Sequence, residues 1–80
     1  MIDKTATFKL VKGNDAIKED VKTVYEALQE KGYDPISQII GYILSEDPTY
    51  ITSHNGARNI MTKIDRFDLL KVMIKEYIEN

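Results

Sequence analysis

The sequence contains no cysteine, which excludes a disulfide framework, a thiolate metal site and a cysteine nucleophile. Histidine occurs once, at His54, and serine only at Ser37, Ser45 and Ser53, a poor inventory for acid–base or nucleophilic catalysis. No window approaches the roughly 20 apolar residues of a membrane span, and no apolar run follows a positive start at the N-terminus. A cytoplasmic protein with no membrane insertion is therefore expected. An excess of one charge sign is also lacking: 13 acidic and 11 basic residues give a net charge of −2, and the two signs are interleaved along the chain. A nucleic-acid surface would need a basic stripe, so solvated helix faces are the simpler account. The glycines at 13, 32, 41 and 56 stand singly, which leaves no glycine-rich phosphate cradle.

What is present fits one small domain. A chain of 80 residues buries only about 60% of the surface its unfolded form exposes. With no metal or disulfide to compensate, a second copy is the natural source of further burial, and a homodimer is expected.

Helical periodicity dominates from residue 14 onward. Ile17, Val21, Val24, Tyr25 and Leu28 share one face, which predicts a helix from Asn14 to Lys31. Gly32 is placed as its left-handed cap, and Tyr33 to reach back one turn to Leu28. Asp34-Pro35 restarts the chain with a capping carboxylate and a proline at the first helical position. The next helix carries the aliphatic stripe Ile36, Ile39, Ile40, Ile43 and Leu44, and the helical body is expected to dimerise through its aliphatic stripes. Gly41 within it costs about 1 kcal/mol relative to alanine. Either it marks a helix crossing or dimer contact, or it is a tolerated surface glycine. Asp47-Pro48 predicts one short helical turn and then a loop to Gly56. Ala57, Ile60, Met61 and Ile64 form a further amphipathic stretch. Asp65 is placed as the cap of a last helix with the stripe Phe67, Leu70, Met73, Ile74, Tyr77 and Ile78. The expected fold is all-α: a small bundle of about four to five short helices at 14–80, preceded by a flexible arm at 1–13. The arm alternates weakly through Thr5-Ala6-Thr7-Phe8-Lys9-Leu10; as a strand it would need a partner.

Few residues offer chemistry. His54 adjoins Ser53, but sequence neighbours rarely face one another as base and nucleophile, and a loop or capping histidine is the plainer reading. Glu46 with Asp47, or Asp65 with Asp68, lack calcium-loop spacing, and Asp47 and Asp65 already serve as caps. A helix-turn-helix around Ser45–Gly56, with Arg58 and Lys63 in a DNA groove, would need a shorter turn and fewer acidic neighbours. Thr5 and Thr7 remain, hydroxyls in a segment that a phosphate of about −1.5 to −2 charge would transform electrostatically.

The run Glu30-Lys-Gly-Tyr-Asp-Pro-Ile-Ser-Gln-Ile-Ile-Gly-Tyr-Ile-Leu-Ser-Glu-Asp-Pro-Thr-Tyr-Ile51, followed by Ala57-Arg58-Asn59, resembles the IreB family of small Gram-positive proteins. The resemblance extends to Asp3-Lys4-Thr5, to Thr23-Val24-Tyr25-Glu26-Ala27-Leu28 and to the final helix. It implies a helical homodimer phosphorylated by a transmembrane Ser/Thr kinase with extracellular PASTA domains and reset by a cognate phosphatase. It also implies a restraining role in cell-wall stress and cephalosporin resistance. The family's arm threonine falls on Thr5; a second family site upstream has no counterpart, since Ile2 stands there, and Thr7 is the possible substitute.

These readings converge on a non-enzymatic regulator switched by phosphorylation at Thr5 or Thr7, needing no cofactor and no metal, and acting on an unidentified protein target. Gly41, Tyr42, Tyr50 and Arg58 are the candidate partner or dimer surface. Packing and capping would explain their identities, with Arg58 paired to a carboxylate; alternatively, Arg58 and His54 form a polar receiving surface. The competing function is a small nucleic-acid-associated helical protein, which predicts steeply salt-dependent binding.

Overall fold

The computed structural model describes residues 14–79, and the expected arm at 1–13, with Thr5 and Thr7, lies outside them. The described chain is an all-α bundle: α1 (Asn14–Glu30), α2 (Pro35–Ser45), two 3-10 turns (Pro48–Tyr50 and His54–Gly56), α3 (Ala57–Thr62) and α4 (Arg66–Glu79).

Local chemistry sets each boundary. The α1 helix closes as its sequence predicts. Gly32 takes φ +84°, where a side chain would be strained. Its N–H donates to Gln29 O at 3.0 Å and that of Tyr33 to Leu28 O at 3.0 Å, the paired bonds that satisfy a helix's last carbonyls. Asp34 caps α2 from an extended backbone, φ −82° and ψ 104°. Its carboxylate accepts from the Ser37 N–H at 3.4 Å and the Ser37 hydroxyl at 2.9 Å. Asp47 does the same for the first 3-10 turn, accepting from the Thr49 N–H at 3.0 Å and the Thr49 hydroxyl at 2.7 Å. Asp65 caps α4 through the Asp68 N–H at 3.1 Å.

The α1 helix is the hub, against which each of the other three packs. Its buried face is Ile17, Val24, Ala27 and Leu28. Around it close Ile39 and Tyr42 from α2, Ile51 after the first 3-10 turn, Ala57 and Met61 from α3, Ile64, and Leu69 and Val72 from α4. Each fully buried Ile, Leu or Met contributes about 1.5–3 kcal/mol of transfer free energy. Among the described residues no buried side chain is polar or charged, so the core holds the fold and offers no chemistry.

The aliphatic stripes of α2 and α4 lie mostly outside the core. Of the α2 stripe Ile39 is buried and Ile43 packs half-buried against the core, whereas Ile36, Ile40 and Leu44 are 55%, 50% and 80% exposed; Tyr42 is buried beside them. In α4 the inward residues are Leu69 and Val72, while the stripe from Phe67 to Ile78 lies largely in solvent. Both helices are apolar around most of their circumference, so periodicity alone does not fix their rotation. The second 3-10 turn was also not foreseen: Asn55 and Gly56 both adopt left-handed φ, +55° and +72°, and fold what reads as loop into the entry to α3.

Candidate functional site

The side chains with chemical potential are mostly committed to structure. Nε2 of His54 lies 2.8 Å from Glu30 Oε1, joining the second 3-10 turn to the end of α1. The same carboxylate accepts from Asn55 Nδ2 at 3.5 Å. Asp34, Asp47 and Asp65 cap helices. Among the described residues no group of three or more His, Cys, Asp or Glu is placed to hold a metal ion.

Among the described residues, Asp47 is the group whose acidity the fold perturbs. The Thr49 hydroxyl bond, then the Thr49 N–H and the more distant Arg58 charge, hold its carboxyl below the ordinary value of 3.8. These donors favour the ionised form.

The four residues singled out as a partner surface fall at one corner of the bundle, in different roles. A Cβ added at Gly41 would lie 2.9 Å from Tyr50 Cζ and closer still to its Cε1 and Cδ1. The absent side chain therefore makes room for the Tyr50 ring to lie against the α2 backbone. Gln38 Nε2 donates to Tyr50 O at 2.9 Å and holds that turn on α2. Tyr42 is 6% exposed and belongs to the core. Arg58 donates from Nε to Ile51 O at 2.9 Å, so a backbone carbonyl takes the bond expected of a carboxylate. That bond and the six-residue length of α3 leave a groove-reading helix little support.

The same corner continues into a clamp. Arg66, the first residue of α4, places Nη2 2.6 Å from Glu46 Oε2 and donates from Nη1 to Ile43 O. One guanidinium thus satisfies a carbonyl at the end of α2 and pins the start of α4 beside it. Glu46 holds its own place with a left-handed φ of +61° and an N–H bond of 2.7 Å to Tyr42 O.

What the bundle leaves open is apolar. On α4, Phe67, Ile74 and Ile78 are 70%, 57% and 72% exposed, with Leu70 at 40%; on α2, Ile36, Ile40 and Leu44 form a second uncovered stripe. Scattered exposed apolar residues are ordinary, but aligned ones mark contact surfaces. These are the aliphatic stripes that the sequence marks as expected dimer contacts, and each helix carries more apolar positions than one face can bury. Between α1 and α4 runs a separate groove of about 380 Å³, walled by Ile17 and Val21 on one side and Leu69, Met73 and Tyr77 on the other. The described helices include none long and apolar enough to cross a membrane.

Comparison with known families then supplies what geometry does not. Residues 3–79 match the family model for IreB, described as IreB regulatory phosphoprotein.

Proposed function

Because the chain belongs to the IreB family of regulatory phosphoproteins, we propose that its regulation runs through phosphorylation of Thr5, with Thr7 as the second candidate. The kinase is a transmembrane Ser/Thr kinase with extracellular PASTA domains, and a cognate phosphatase reverses the modification. The protein acts in the cytoplasm as a homodimer that restrains cell-wall stress signalling and cephalosporin resistance through a protein target, without catalysing a reaction itself.

The single observation that carries this reading is the family match over residues 3–79, which takes in both threonines and the whole helical body. The physical chemistry agrees with it. Residues 1–12 contain Lys4, Lys9 and Lys12 against Asp3, so a phosphate of about −1.5 to −2 largely cancels the local positive charge. The uncovered faces of α2 and α4 supply apolar area for a second copy and for a target.

The test is to incubate the full chain with the cytoplasmic domain of such a kinase and map the product by mass spectrometry, beside Thr5→Ala and Thr7→Ala. The expected result is one phosphate on the native arm that is lost or strongly reduced in Thr5→Ala. Equal modification of Thr5→Ala and the native chain removes Thr5 as the site, and no modification of any of the three removes the phosphoregulation reading.

A further inference from the structure

The groove between α1 and α4 differs from the uncovered outer faces. Its walls are apolar on both sides, and the charged pair that borders it is neutralised, with Lys18 Nζ 3.5 Å from Glu76 Oε1. At about 380 Å³ it falls in the range of pockets that hold small ligands or a few side chains. The groove also opens where the described chain begins: Ile17 and Val21 stand three and seven residues into α1 from Asn14, or about 5 and 11 Å along its axis.

We propose that the chain's own segment Ala6–Val11 occupies this groove, as an extended strip lying back along α1. Alternation and reach both support that occupant. In an extended segment successive side chains point to opposite sides, so Ala6, Phe8 and Leu10 share one side and Thr5, Thr7 and Lys9 the other. The apolar side matches the walls, and the hydroxyl-bearing side is left outward. Gly13 permits the reversal into α1 at no steric cost. At about 3.3–3.6 Å per residue, a strip reversing there brings Leu10 opposite Val21 and carries Phe8 on toward Leu69 and Met73. Because the segment is tethered within a few residues of the groove, its effective concentration is of order millimolar, which favours it over a free peptide. The seat does not depend on which threonine is modified.

The test uses the full chain in solution. Nuclear Overhauser contacts from the Phe8 ring and Leu10 methyls to the Val21 and Met73 methyls are expected in uniformly labelled protein. They should be absent from an isotope-filtered spectrum of mixed labelled and unlabelled chains, which reports contacts between copies only. Phe8→Ser is expected to abolish them and to speed tryptic cleavage after Lys9 at least tenfold, as is Met73→Glu in the groove wall. Filtered contacts between the arm of one copy and the groove of another, groove contacts from a second copy's helix, or no contacts in either sample would each overturn the proposal. So would equal cleavage rates in the native chain and Phe8→Ser.

Discussion

Replacing Gly41 with alanine sets two effects of known size against each other. In the interior of α2 alanine is favoured over glycine by about 1 kcal/mol from backbone entropy alone. The new Cβ, however, would meet the Tyr50 ring, 2.9 Å from Cζ and closer to Cε1 and Cδ1. Overpacking of this kind costs about 1–3 kcal/mol. Tyr50 is 39% exposed, so its ring can swing outward, and the cost is then bounded by the loss of its seat on α2. Gly41→Ala is accordingly expected to range from neutral to about 2 kcal/mol destabilising. In a Tyr50→Ala background the obstruction is gone, and the same substitution should stabilise by about 1 kcal/mol. The coupling between the two sites is thus about 1–3 kcal/mol, within the range for residues in contact. Urea unfolding followed by far-ultraviolet circular dichroism measures all four corners of the cycle. Chain concentration is held fixed, so that any self-association contributes equally at every corner. If Gly41→Ala stabilises equally with and without the Tyr50 ring, close approach of that ring is not why residue 41 is glycine.

Three further outcomes follow from the same structure. Asp34→Ala removes the acceptor for the Ser37 N–H and hydroxyl and should cost about 1 kcal/mol in urea unfolding, whereas Asp34→Asn should cost less. The Asp47 carboxyl should titrate by carbon NMR below its ordinary 3.8, and Thr49→Val should move it upward by removing the leading hydrogen bond. Since the folded-state value is the lower one, that carboxyl's stabilisation is complete above 3.8 and disappears as pH falls through the folded-state value. If the proposed homodimer uses the exposed face of α4, Ile74→Glu should weaken self-association at least tenfold by sedimentation while leaving helix content unchanged; unaltered association would remove this face from the proposed contact.

Capping chemistry was the most legible part of the sequence. Gly32, Asp34-Pro35, Asp47-Pro48 and Asp65 each mark a boundary that the backbone adopts, because their requirements are local and have few alternative solutions. Rotation of α2 and α4 was not legible. Where Ile36, Ile39, Ile40, Ile43 and Leu44 leave little polar contrast, the inward face is chosen by how Tyr42 and Ile39 fit against α1, a tertiary matter. Ala27 and Ile51, both essentially buried, escaped a search for stripes because one is small and the other sits alone in an irregular stretch. At the candidate surface, the sequence singles out Gly41, Tyr50 and Arg58 but not their wiring. That a ring would lie on a glycine, or that a guanidinium would choose the Ile51 carbonyl, depends on the path of the chain between residues 46 and 57.

The position of α1 as the hub has a mechanical consequence. It is the beam on which the other three helices lean, and residue 14, where the first thirteen residues join the body, is its near end. Any pull or twist delivered through that junction therefore loads the support common to every other helix. Ile17, less than a turn further on and 2% exposed, is the first deeply buried side chain to feel it.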